Sequence, residues 1–510
     1  KGDIITVGDD GLGHFALPPT DPEARFRPLS QASTIVVQAE ELDKYIPAIG
    51  TLDGSKHQAV ASVRLASGNY LVAFIAGGNV MVASYGSSGA LKNKTVLAST
   101  DGVHLDLAIA VLGNGSVAVA FAAGAENALA VAIVDEDAEL MHAVNKLDNI
   151  TAVASLSIAP LSGSQFVLGY SMGEFRSPGF TVFDEQGAVQ VSPVMVEQLD
   201  ETSKVTNNQS VAVVPTSIFG FAFVYGRMVD TVGVVQVQMY GMQGQRIGEL
   251  KKISRDMNAA AAGPFVKAVA LQGGNIAVGM YGGQNAGFQL QLMDPTGNVQ
   301  GTNHILDDHD NQPQPNRMQL EALADGNLGV VWTESRLAAA SVLTPTGSFV
   351  FRRSNLGECV GSANIAALPD GGAVAVVQGA RGLRVGAIDK NLYGELKQTY
   401  IASGPACSAL VVHGLDNTIG GDADLFVVGA ATSMLQLGLF VSYTLPAQTP
   451  VGVAMTDTAR GQNIEVQIEG PAELRLPFKF PFTINARDNT IPGQKFSVIG
   501  NLALLHGIQA

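Results

Sequence analysis

Asp307-Asp308-His309-Asp310 places three carboxylates and an imidazole in four consecutive residues. Oxygen ligands at that density suit a hard divalent cation, and Ca²⁺ is the candidate ion for Asp307, Asp308 and Asp310. The same run also reads as a solvated acidic loop, because Asp and Glu (45) outnumber Lys and Arg (30) for a net charge of −15. His57 and His104 each precede an apolar run, but a metal site there needs a third ligand that the sequence does not name. A structural role is the plainer one for both. The two cysteines, Cys359 and Cys407, lie in no local nucleophile signature. Asn93, Asn114, Asn149 and Asn208 each open an Asn-x-Ser/Thr sequon and fall in or beside turn-forming segments, where a secreted chain would accept a glycan.

The elements that must position these residues come from an internal repeat. A short turn ending in Gly recurs at Gly89, Gly187, Gly244, Gly297 and Gly347, and Asp135-Glu-Asp-Ala138 fits the same slot with Ala in place of Gly. Upstream of each turn stands a second, smaller one: Ser67-Gly68-Asn69, Asn114-Gly115-Ser116, Ser162-Gly163-Ser164, Gly273-Gly274-Asn275, Asp325-Gly326-Asn327 and Asp370-Gly371-Gly372. Between the turns lie strand-sized apolar runs, four per repeat. In the sixth they are 318–324, 328–333, 337–343 and 348–353. Four strands in about 50 residues, repeated, is the pattern of a β-propeller blade.

The chain is therefore expected to be all-β, an eight-bladed β-propeller over 57–446 with four antiparallel strands per blade. Seven blades plus an extra small sheet is the alternative count. Thr34–Gln38, in the linker 34–56, or Val451–Met455 is a candidate closing strand for a weak eighth repeat. Cys359 and Cys407 are one repeat apart, so a disulfide stapling neighbouring blades is expected, with two buried thiols as the alternative. Residues 1–33 read as an extended, Pro-punctuated arm, and 447–510 as a β-rich extension. Both arms are candidates for subunit contacts, or else pack back on their own propeller.

The sixth repeat runs Leu320-Glu-Ala-Leu-Ala-Asp-Gly-Asn-Leu-Gly-Val-Val-Trp332, and the seventh Ile365-Ala-Ala-Leu-Pro-Asp-Gly-Gly-Ala-Val-Ala-Val-Val377. With Phe183-Asp-Glu-Gln-Gly187, these resemble the A-x-L-x-D-G-x-x-V-V-W … F-D-x-x-G repeats of large secreted and surface propeller proteins. The resemblance implies the propeller fold and an extracellular setting, and it implies no catalytic residues. Separately, Asp416, Asp422 and Asp424 resemble the Asp-rich Ca²⁺ loop of integrin-type propellers, in a single copy with imperfect spacing.

Composition narrows the function. The net negative charge weighs against a nucleic-acid binder. Leu107–Ala125 is uncharged and long enough to span a bilayer, but Gly113-Asn114-Gly115-Ser116 divides it into two buried strands, so no membrane span is expected. A chain that opens at Lys1 is expected to be the processed form of a secreted protein. Three classes remain. The leading expectation is a non-catalytic structural or interaction protein of an extracellular or cell-surface assembly, meeting protein partners or copies of itself through 1–33 and 447–510. The second is a glycan- or protein-binding module. The third is a hydrolase or lyase working at the central channel.

Overall fold

The computed structural model describes most of residues 60–388 and, outside them, the strands between Ile4 and Phe15 and between Lys397 and Leu505. Every regular element among the described residues is a strand. Seven consecutive antiparallel sheets have four strands in sequence order, with one extra short strand, Met257–Asn258, on the fourth. Their first strands are Val60–Arg64, Leu107–Val111, Leu156–Leu161, Val211–Pro215, Phe265–Ala270, Met318–Ala322 and Ala363–Ala367. An eighth sheet follows, with three described strands beginning at Cys407–Gly414.

Each first strand touches the first strand of the next sheet, and Cys407–Gly414 touches both Ala363–Ala367 and Val60–Arg64. First strands that meet head to tail around a circle define a β-propeller, with these strands innermost. Burial follows the radius. Second and third strands are sealed between neighbouring sheets, as in Val117–Ala123 and Ala128–Val134, where every residue is buried. Fourth strands face outward, as in Val189–Met195 and Arg246–Lys252. Such outer edges invite pairing with other chains, and here they carry Lys92, Lys94, Pro193, Lys251 and Lys252, which discourage it. The apolar stretch 107–125 is thus two paired strands, and no helix among the described residues is long and apolar enough to cross a membrane.

The repeated turns have the conformation their residues suggest. Gly187, Gly244, Gly297 and Gly347 have φ between +75° and +89°, and each N–H bonds the carbonyl three residues back. Ala138 takes the same slot at φ +63°. Asp135, Asp184 and Asp294 open their turns by accepting two backbone N–H bonds each on one carboxylate oxygen. Added side chains would collide with the preceding sheet at three of these positions, Gly244, Gly297 and Gly347, the last 2.8 Å from His304 Nε2. A Cβ on Gly244 would lie 2.8 Å from Val191 of the preceding sheet, and one on Gly297 would lie 2.7 Å from Met239.

The chain divides into two compact units, one of Tyr45–Gly414 with Phe426–Gly438, the other of Lys1–Lys44, Leu415–Leu425 and Leu439–Ala510. In the second unit the chain ends pair with each other. Ile4–Val7 lies between Gly13–Phe15 and Pro450–Ala454, with Ile4 opposite Val453 and Ile5 opposite Gly452. Val466–Gln467 completes this sheet, and Gly470–Glu473, Phe496–Ile499 and Leu502–Leu505 form another. Val451–Met455 was a candidate for closing the eighth repeat. Within Pro450–Ala454 it is instead paired on one edge with Ile4–Val7 and on the other with Val466–Gln467, and Met455 lies outside the described residues. Thr34–Gln38 lies outside the described residues.

Candidate functional site

Sequential hairpins place the connections of the first unit at two ends of the sheets. One end carries the short Gly turns between first and second and between third and fourth strands. The other carries the passages from one sheet to the next, among them the long segments 196–210, 253–264 and 306–317. Asp307, Asp308, His309 and Asp310 belong to the last of these and lie outside the described residues, as do His57, His104, Asp416, Asp422 and Asn208. Asp424 falls on the strand Ala423–Ala431. Among the described residues, no three His, Cys, Asp or Glu side chains gather as a metal set.

The remaining candidates are placed. Asn93 is half-buried on the outer strand Leu91–Ser99. Asn114 is exposed, but its side-chain oxygen closes its own turn by accepting from Ser116 N–H (2.9 Å) and Oγ (2.6 Å). Asn149 is exposed in a turn between sheets two and three. The expected staple between Cys359 and Cys407 is corrected: Cys359 is a buried thiol that is not disulfide-bonded. It packs in an apolar cluster with Leu323, Leu356, Ala363 and Ile365, so the cysteine serves as a small core residue between sheets six and seven.

What the ring does bring together are its seams. Ser155 and Ser157 of sheet three accept from Val211 N–H (3.3 Å) and Val213 N–H (3.0 Å) of sheet four. Those N–H groups belong to an innermost strand, which has no neighbour on its channel side, so a side chain from the preceding sheet satisfies them. Ser157 pairs across the hairpin with Gly169, where a Cβ would lie 2.7 Å from Val213. The missing side chain lets the next sheet drop close enough for the bond. The arrangement recurs between sheets six and seven. Glu321 pairs with Gly329, Ile365 fills the space a Cβ there would take (2.8 Å), and Glu321 accepts from Ala367 N–H. Withdrawal of its carboxyl group from water pushes Glu321 up to about 7, against the pull of that hydrogen bond.

Other seams use side chains on backbone carbonyls. Ser84 donates to Glu136 O (2.7 Å), Asn145 to Gly187 O (2.8 Å), Arg246 to Val196 O (2.8 Å) and Lys251 to Gly297 O (3.1 Å). A denser cluster joins sheets three and four. Glu197 accepts from Tyr225 Oη at 2.8 Å and pairs with Arg227, both partners of the ion pair being about a quarter exposed (25% and 24%). Burial and the Glu197 carboxylate push the Tyr225 phenol well above its usual range, so it stays a donor at all ordinary pH. Sequence reading passed over Glu197, Tyr225, Arg227 and Glu321. Only Glu321 carried a signal, as the one acid on an otherwise uncharged innermost strand.

No protein-family model matches the chain, and no curated protein matches it in sequence. Among solved structures, Sqt1 of Saccharomyces cerevisiae is similar over 77% of this chain and 98% of its own, at 12% identity and a TM-score of 0.48. The Dos1 propeller is similar over 77% and 95%, at 10% identity and a TM-score of 0.44. A prolyl endopeptidase is similar over 77% of this chain at 14% identity and a TM-score of 0.41; the match spans 56% of the peptidase's own length.

Proposed function

We propose that the ring is an eight-bladed propeller acting as a non-catalytic interaction scaffold in an extracellular or cell-surface assembly. The observation that carries this reading is the contrast between the two ends of the sheets. One end is a uniform set of glycine turns locked blade to blade, while the other holds long connections of unequal length. Loops mounted on a rigid scaffold are where recognition is built. The ionisable groups Glu197, Arg227, Lys251 and Arg246 support the same reading, because each is engaged in holding sheets together. The sheet made by Ile4–Phe15 and Pro450–Gln467 supplies the second contact surface, since its outer strands Gly13–Phe15 and Val466–Gln467 each have one edge without a strand partner among the described residues. The resemblance of 320–377 to repeats of secreted propellers supports the extracellular setting, in which the exposed Asn149 would be open to a glycan.

The test is the solution mass of the full chain by light scattering, beside an Ile5→Pro variant. Proline at Ile5 removes an N–H from the central strand of the terminal sheet. The reading expects a multiple of 52.9 kDa that falls toward a single chain in the variant. A wild-type mass of one chain at every concentration overturns the assembly role.

A further inference from the structure

We infer that Glu321 is a protonation-controlled latch on the seam between sheets six and seven. Its side chain lies on the side of sheet six that faces sheet seven, because its cross-strand partner Gly329 has Ile365 of sheet seven against it. There it accepts the N–H of Ala367, an innermost-strand donor. The equivalent bond at sheets three and four is made by the Ser157 hydroxyl, which carries no charge in either state. Sheets six and seven therefore share the device of sheets three and four, with an ionisable group in place of a neutral one.

The surroundings decide which protonation state closes the seam. Ala363–Ala367 and the adjacent strand Ala373–Gly379 of sheet seven contain no ionisable residue, nor do residues 328–333 behind Glu321. The two strands of sheet five that touch Met318–Ala322, Phe265–Ala270 and Ile276–Tyr281, contribute Lys267 and Tyr281. Lys267 pairs with Gly279, whose open side meets Met318 and Leu320, so the lysine stands on the opposite side of sheet six from the carboxyl. No cation on these elements shares the face of Glu321. The neutral carboxyl fills its place and still accepts the Ala367 N–H. The carboxylate keeps that single bond and leaves its remaining charge on the face lined by Ile365 and Leu323. An uncompensated charge at such a place favours opening, where water can reach it. The seam is tight in mildly acidic solution and loosens as pH rises through neutrality.

Hydrogen exchange of the full chain, read by mass spectrometry at pH 6 and pH 8.5 and corrected for intrinsic rates, tests this. With the group held up to about 7 in the closed seam and at its ordinary value when open, the opening constant for 363–377 rises about tenfold over that range. Residues 211–225, behind the Ser157 bond, change little. In Glu321→Gln, which keeps an acceptor of the same shape, 363–377 loses its pH dependence. An equal change at both seams, or a dependence that survives in Glu321→Gln, overturns the latch. Should that variant fail to fold, the wild-type contrast between the two seams decides alone.

Discussion

Gly244→Ala separates the two reasons for glycine in the repeated turn. An alanine at φ +75° costs about 1 kcal/mol in backbone strain. Its Cβ would sit 2.8 Å from Val191 Cγ1 and 3.6 Å from Phe180 Cε2, both in sheet three. Val191 is β-branched and pinned on its strand, so it yields only by shifting the seam, at roughly 1–3 kcal/mol for overpacking. Alanine restricts the unfolded chain and returns about 0.5 kcal/mol. The net loss is roughly 1.5–3.5 kcal/mol. Gly115→Ala is the control: φ is +85° with nothing within 4 Å of the added carbon, so the backbone cost less the same unfolded-chain return leaves a loss of about 0.5 kcal/mol. Urea unfolding followed by circular dichroism and by fluorescence of the single tryptophan, the buried Trp332, measures both. Equal losses in the two variants would refute the claim that the turn glycine is a seam contact. Ala138 already shows that the backbone cost alone is tolerated.

Arg227→Ala leaves Glu197 with Tyr225 as its remaining partner in a half-buried seam. It should cost about 1–3 kcal/mol in the same assay, and Tyr225→Phe about 1. His304 packs edge-on to Phe349 at 5.5 Å, and burial first, then Arg352, hold its imidazole below the usual value. The unfolded chain therefore takes up that proton first, so stability is full above about pH 6.5 and falls as pH drops toward the lowered folded value. His304→Gln should flatten that limb of the melting-temperature profile. Calcium titrated calorimetrically into the full chain decides between the two readings of 307–310: heat that is lost in Asp308→Asn with Asp310→Asn means an ion site, and no heat in the wild type means a solvated acidic loop.

The repeat was legible because each blade must solve the same local problem. A chain that reverses between packed sheets needs a positive φ and no side chain toward its neighbour, and glycine meets both needs. Even the exception was visible: Asp135-Glu-Asp-Ala138 keeps the opening aspartate, whose two accepted N–H bonds set the turn whatever residue ends it. The turn at 113–116 likewise identified 107–125 as two strands. The seams were harder to see because their partners belong to different repeats. Glu197 and Arg227 are 30 residues apart on either side of a sheet boundary, and nothing local marks them as a pair. Ile4–Val7 falls in what reads as an extended arm, and four apolar or β-branched residues fit many edges without naming Pro450–Ala454 as their mate. The cysteines misled for a related reason. Equal spacing along a repeat gives equivalent positions, but side-chain direction decides bonding, and Cys359 turns into the core.

The proposed eight-bladed ring closes through the contact of Cys407–Gly414 with Val60–Arg64, and both the scaffold and its seams depend on that closure. Class averages from electron cryomicroscopy, viewed along the ring axis, count the sheets directly. Eight radial densities around a closed centre are expected. Seven, or a ring left open beside Val60–Arg64, would contradict it.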